Sequence, residues 1–338
     1  MKTRRYESTD VSAPQAPANP SATAFKVQMV VVDERGTGQR LDNFLARILK
    51  DVPKTHIFRV IRKGEVRVNG KRAKPDTRLQ ANDNVRVPPV KTGAQAPPRR
   101  ASGALVDSVV GAIVYEDPQL LVINKPPGVA VHGGSGVSFG VIEALRAARP
   151  DESLELVHRL DRDTSGLLLV ARKPAALRTL HALMREGKVE KKYLALVKGK
   201  WELGKKRIDV PLRTDIRVGG ERTVKAHASG KEAVSLFAPV QFYGKKASLV
   251  EVALETGRTH QIRVHAAHAG YPLAGDEKYG DAEFNEKMKA MGLTRMFLHA
   301  HQVSFVWPET GMEFAVSTPL PADLAAVIDV LNPPRERK

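Results

Sequence analysis

Cysteine is absent from this 338-residue chain. Without thiols there is no disulfide framework and no thiolate metal site, and a cytoplasmic protein fits that lack. Long hydrophobic runs are missing as well. None approaches the roughly 20 apolar residues that span a bilayer, so no membrane segment is expected. The start, Met1-Lys2-Thr3-Arg4-Arg5, is basic but has no apolar stretch behind it, which argues against a signal peptide. Repeats at solenoid spacing and a Walker-type phosphate loop are also lacking. Acid is in short supply. Against 54 Lys and Arg stand 37 Asp and Glu, for a net charge of +17 and a pI near 10.0. A chain this basic attracts polyanions. Nucleic acid is favoured over an anionic membrane, because no long basic amphipathic helix with bulky apolar residues opposite is present.

What is present is ordinary globular material, 42% apolar and 27% charged, enough for a large domain plus a small one. Residues 1–24, rich in Ser, Ala and Pro, read as a flexible tail. Residues 25–88 read as a small domain, and 89–108, around Pro97-Pro98-Arg99-Arg100-Ala101-Ser102-Gly103, as an interdomain linker. Residues 109–331 form the large domain and 332–338 a second tail. The charge is local: between Phe25 and Val90, 15 Lys and Arg meet 7 Asp and Glu, so about a fifth of the chain holds +8 of the +17.

In the small domain, Leu41, Phe44, Leu45, Ile48 and Leu49 recur at helical spacing. Ile57, Val60 and Ile61 mark a second helix, stopped by Gly64. Val66-Arg67-Val68 runs into the tight turn Asn69-Gly70, and Asp83 to Val87 reads as a closing strand. That leaves Arg47, Lys50, Lys54, Arg59, Arg62, Lys63 and Arg67 on exposed faces. A solvated basic surface is the plain interpretation; so dense a cluster on so short a unit favours phosphate contact. Arg40-Leu41-Asp42-Asn43-Phe44-Leu45, Lys54-Thr55, the run from Ile61 to Gly70 and Asp83 before Val85 resemble the S4 RNA-binding domain, which implies binding of structured RNA.

The large domain opens with strands at Ala112–Tyr115 and Leu120–Ile123. More strand-like runs follow at Leu167–Ala171, Tyr193–Val197, Leu249–Leu254 and Gln302–Val306, with a helix near Pro174–Glu186. Mixed strands with few helices predict an α+β sheet rather than a doubly wound one. Its densest polar cluster is His158-Arg159-Leu160-Asp161-Arg162-Asp163-Thr164-Ser165-Gly166, a loop feeding an apolar strand. Asp161 and Asp163 compete as the reactive carboxylate, and an ordinary ion-paired turn would look similar. A second cluster, Glu255-Thr256-Gly257-Arg258-Thr259-His260-Gln261-Ile262-Arg263-Val264-His265, predicts a helix capped by Thr259 that carries Arg263. An arginine aimed at a carboxylate keeps it ionised.

Two decoys are weighed down by context. Gly136-Val137-Ser138-Phe139-Gly140 matches a hydrolase nucleophile elbow, but a flexible loop rather than a strand precedes it. His260, His265 and His268 suggest zinc, yet only the last two share a helical face and no carboxylate completes the set.

With Asn124-Lys125-Pro126-Pro127-Gly128 and Lys191-Lys192-Tyr193-Leu194-Ala195, these clusters resemble the RluA-type family of pseudouridine synthases in order, spacing and wording. The resemblance implies a largely antiparallel pseudouridine synthase domain behind an S4-like α/β module. It also implies a metal-free, cofactor-free isomerisation of uridines in 23S ribosomal RNA or its large-subunit precursor, by a monomer. Residue by residue, Asp161 resembles the catalytic aspartate and Arg159 the arginine that opens the RNA. Tyr193 is similar to the tyrosine that packs on uracil, and Arg263 to the basic partner of the aspartate. Whether the carboxylate attacks C1′ or removes the 2′ hydrogen stays open. So do a sibling class with other target uridines and a non-catalytic S4-type rRNA-binding protein.

Overall fold

Asn69 and Gly70 both take positive φ, 50° and 76°, the twist that a two-residue hairpin turn needs. They join β2 (Arg67–Val68) to β3 (Lys71–Arg72) in the small unit. The computed structural model describes residues 27–49, 52, 54–89, 101–133, 139–216 and 222–332. It falls into two compact units that divide between Pro98 and Arg99. The expected tail at 1–24 lies outside the described residues, as does most of 332–338.

The small unit runs β1 (Gln28–Val31), α1 (Leu41–Ile48), α2 (Lys54–Lys63), β2, β3 and β4 (Asn84–Val87). Its antiparallel sheet has the order β1-β4-β2-β3. Leu41, Phe44 and Leu45 of α1 and Ile57, Val60 and Ile61 of α2 are buried together with Val66, Leu79 and Val85. Burial of one face leaves the other to the cations: Arg59, Arg62 and Lys63 of α2 are exposed.

The large unit starts earlier than its sequence suggests. Ser102 accepts a hydrogen bond from Leu105 N and caps α3 (Gly103–Val110). Val109 is fully buried, with Leu105 and Val106 packed around it. The last six residues of the stretch expected as linker, 103–108, are therefore helical, ordered by three apolar side chains that the flanking Pro-rich composition obscures; residues 90–100 lie outside the described residues. Next come β5 (Ile113–Glu116), β6 (Leu120–Lys125), α4 (Val141–Ala148), β7 (Glu155–Leu156), β8 (Ser165–Ala171), α5 (Pro174–Arg185) and β9 (Glu190–Lys198). Then follow β10 (Lys206–Asp209), β11 (Leu212–Ile216), β12 (Arg222–Ala226), β13 (Val234–Tyr243), β14 (Ala247–Leu254) and α6 (Gln261–His268). Last are α7 (Ala282–Ala290), β15 (Leu298–Val306), β16 (Glu313–Ser317) and α8 (Ala322–Leu331).

Ten of these strands form one sheet, ordered β10-β13-β14-β9-β15-β8-β6-β5, with β7 on β8 and β16 on β15. Every pairing is antiparallel except β15 with β8, in keeping with the α+β class. That parallel contact explains Gly166, whose φ is 109° and where a Cβ would sit 2.2 Å from Ala300 O. Only glycine lets β8 meet β15 directly behind the Asp161 loop. No helix among the described residues is long and apolar enough to cross a membrane.

Candidate active site

Three pieces of chain converge at one end of the central strands: the loop before β8, strand β9, and the turn that leads from β14 into α6. Between them lies a cavity of about 510 Å³ lined by Arg159, Asp161, Tyr193, His260 and Arg263. Asp163, the competing carboxylate, lines a different cavity with Arg162 and Arg295. Its Oδ1 accepts from Arg162 Nε at 3.3 Å.

The Asp161 loop is fixed from beneath by Lys125, at the end of β6. This side chain is fully buried, and its Nζ donates to the carbonyls of Pro126, Val129 and Arg162 at 2.9 Å each. Burial lowers the amine to about 7, against the opposing pull of the Asp163 and Asp161 charges. Three carbonyl acceptors require all three ammonium protons, so the lysine stays charged. His158 is pinned to the sheet: its Nε2 accepts from Leu169 N at 3.1 Å. Burial, reinforced by the Lys191 charge, drops the ring to about 4, so it is neutral and structural.

Arg263 is held differently from the sequence-based expectation. Its Nε and Nη2 both donate to Asp276 at 2.7 Å, a bidentate pair in which Asp276 is 1% exposed and Arg263 12%. Only Nη1 faces Asp161, at 3.6 Å from Oδ2, within reach of its charge and too long for a hydrogen bond. Burial works against both charges of the clamp. The mutual pairing, with backbone N–H groups of Tyr279 and Lys278 on the carboxylate, outweighs it, lowering Asp276 and raising Arg263. Asp161 thus sees a cation that is oriented by another group, and its own oxygens remain open to the cavity.

Asp276 is the residue that sequence reasoning missed. Its string, Gly275-Asp276-Glu277-Lys278-Tyr279-Gly280, reads as a turn; the signal was a carboxylate between two glycines. A Cβ at Gly280 would lie 2.0 Å from Asp276 O, and one at Gly275 2.3 Å from Arg295 O. Tyr279 belongs to the same device. Its ring lies 5.0 Å under the Arg263 guanidinium. Its hydroxyl accepts from Val224 N and shares a hydrogen bond with His260 Nδ1, each at 2.9 Å. Burial lowers the His260 pKa against the pull of the Asp161 charge, and its Nε2 lies 3.8 Å from Asp161 Oδ2.

His260, not Thr259, is the cap residue of α6. It takes left-handed φ/ψ of 53° and 22° with no side-chain cap, a strained backbone that the Tyr279 hydrogen bond helps hold. His265 is buried between Ser235 Oγ and Val210 O, and no group able to hold a metal exists among the described residues. Ser138 of the hydrolase decoy lies outside them. Tyr193 is 6% exposed on central strand β9. Burial, and then the Asp161 charge, raise its hydroxyl well above the ordinary value, so it is a protonated phenol beside the carboxylate. Arg159 is exposed at the cavity mouth.

In the small unit, Arg47, Arg59, Arg62, Lys63 and Arg67 are all exposed; the side chain of Lys54 lies outside the described residues.

Comparison with known proteins bears on both units. The RNA pseudouridylate synthase family profile matches residues 119–268, and that of the S4 domain residues 39–85. Ribosomal large subunit pseudouridine synthase C of Pasteurella multocida is 50% identical over 92% of this chain and 95% of its own. The protein of that name from Escherichia coli is 48% identical over 91% and 97%. Among solved structures, human RNA Pseudouridylate Synthase Domain Containing 4 aligns with a TM-score of 0.55 at 25% identity, covering 68% of this chain and 95% of that one. Half the aligned positions shared along nearly the whole chain place it in a family outright: it belongs to the RluA-type RNA pseudouridine synthases that carry an S4 domain.

Proposed function

We propose that this chain isomerises specific uridines of 23S ribosomal RNA to pseudouridine at a site centred on Asp161. The observation that carries the reading is the convergence of Asp161, Tyr193 and Arg263 on one cavity roomy enough for an extruded nucleotide. The target uridine leaves its stack, with Arg159 at the cavity mouth filling the opened RNA. The Asp161 carboxylate acts at the ribose, on C1′ or on the 2′ hydrogen, and the N1 bond breaks. Tyr193, a neutral phenol, packs on the freed uracil as it turns; after the C1′–C5 bond forms, the regenerated Asp161 carboxylate accepts the C5 proton, and N1 ends protonated. Arg263 keeps negative charge favourable in the pocket throughout. The balance needs no oxidant, water or cofactor.

Large-subunit RNA as the substrate rests on the names of the relatives together with the basic S4 unit. In this reading residues 25–88 anchor RNA and 109–331 perform the chemistry, in one monomer. Pseudouridine mapping of ribosomal RNA from cells with and without the protein tests it. Sites lost from 23S RNA and restored by wild type but not by Asp161→Asn are the expected result. Loss only at uridines other than those that the pseudouridine synthase C relatives modify assigns the chain to the sibling class, and no loss at all overturns the proposal.

A further inference from the structure

Lys191 and Lys192 are neighbours on β9 and point to opposite faces of the sheet. Lys192 has two carboxylates, Glu190 at 3.3 Å and Glu251 at 3.9 Å. Lys191, two residues before Tyr193 and on the same face, is half-buried in the wall of the Asp161 cavity. Among the described residues no carboxylate lies within ion-pair distance of it. Among the described residues its one polar contact is Met184 Sδ at 3.8 Å, a weak acceptor. Burial accordingly lowers its pKa. A cation drawn out of water with no partner costs free energy. The fold tolerates this one at the wall of a cleft, beside Arg159, Arg185 and Arg258.

We infer that Lys191 receives a phosphate oxygen of the substrate RNA next to the extruded uridine. The inference rests on the RNA-modifying reading of this cavity. A neutral uracil carbonyl would leave the ammonium charge uncompensated; a phosphate supplies the missing anion and accepts its hydrogen bonds. The position also suits the chemistry. A phosphate held on the Tyr193 face of β9 anchors the backbone while the base, detached from its sugar, turns in front of Asp161.

The test is a cycle of enzyme and RNA variants. An rRNA fragment containing one unmodified target uridine is prepared with a neutral methylphosphonate at each of the two linkages flanking it. Kd and KM are measured for wild type, Lys191→Met and Lys191→Arg. Lys191→Met is expected to raise Kd and KM about tenfold, the worth of one charged hydrogen bond, with a smaller change in kcat and no drop in melting temperature. Lys191→Arg recovers most of the affinity. One methylphosphonate costs wild type about tenfold and costs Lys191→Met almost nothing. Equal costs in both enzymes at both linkages, or a Kd for Lys191→Met equal to wild type, would overturn the contact. A loss of affinity that tracks a loss of melting temperature would make Lys191 a packing residue instead. Failure of the parent reading looks different: wild type itself then forms no pseudouridine in the fragment, while the Kd cycle still reads the phosphate contact.

Discussion

On α2 of the small unit, Arg59, Arg62 and Lys63 stand in solvent, and the ion pair among them, Lys63 to Glu65, spans 3.9 Å. In the large unit Arg263 is 12% exposed and gripped twice at 2.7 Å by Asp276. The first kind of cation is mobile, well hydrated and screened by salt, suited to following a phosphate backbone. The second has lost its freedom and part of its hydration before substrate arrives, so it presents one N–H group in one direction. In the proposed reading one region supplies affinity and the other geometry, and the contrast is open to attack at both ends.

The largest expected effect is at Asp161. Replacing it with Asn keeps shape and removes the charge, and kcat for pseudouridine formation is expected to fall by at least about 10⁴-fold, as for loss of a reacting group. RNA affinity and melting temperature should stay near wild type. A rate within tenfold of wild type would transfer the role, and Asp163→Asn would be the next variant to assay.

Asp276→Asn attacks the clamp. Breaking one side of a buried ion pair is expected to cost about 3–5 kcal/mol of stability in urea unfolding. Single-turnover rate, measured where the variant is still folded, should drop about 10²-fold, since Arg263 loses its orientation. An unchanged rate in a destabilised protein would reduce Asp276 to a structural role and leave Arg263 free to find Asp161 unaided.

A smaller effect separates the two units. A chain beginning at Ala101 keeps α3 and should fold as the isolated large unit. One beginning at Gly111 loses Val109, Leu105 and Val106 from the core, a cost on the order of 3 kcal/mol. Equal melting temperatures for the two truncations would mean that α3 is an ornament on the large unit.

That boundary illustrates what the sequence hid. The helix at 103–110 follows a stretch of Pro, Arg and Gly, and composition outweighed three apolar residues. Strand β13 was missed because its outward face is apolar too: Leu236, Val240 and Phe242 are exposed, so no clean alternation marks it. β10, reading Lys-Arg-Ile-Asp, has one buried side chain, Ile208, and looks like a charged loop. By contrast β8 is buried at every position and was plain from its unbroken apolar run. Asp161, Tyr193 and Arg263, which line the candidate cavity, stand in strings of unusual wording. Asp276 and Lys125 were not legible, because their work lies in what they hold: a guanidinium 13 positions away and a carbonyl 37 positions away. Such partners exist only once the chain is folded.

The smallest expected effect tests the other side of the comparison. Replacing Arg59, Arg62 and Lys63 together by Gln leaves the buried face of α2 intact, since Ile57, Val60 and Ile61 carry its packing. Stability should therefore change by less than about 0.5 kcal/mol, the range for surface positions. If these cations touch phosphates, affinity for a 23S fragment should fall roughly tenfold at moderate salt. The slope of log affinity against log salt should flatten by about 0.7–0.9 for each contact removed. The rate at saturating RNA should remain within about twofold, because no group at the Asp161 cavity has changed, in keeping with phosphate contacts that position rather than react. Asp276→Asn in the same salt series should give the wild-type slope with a reduced rate. A triple variant with the wild-type slope would show that the α2 cations only solvate that face, and would move the RNA anchor into the large unit.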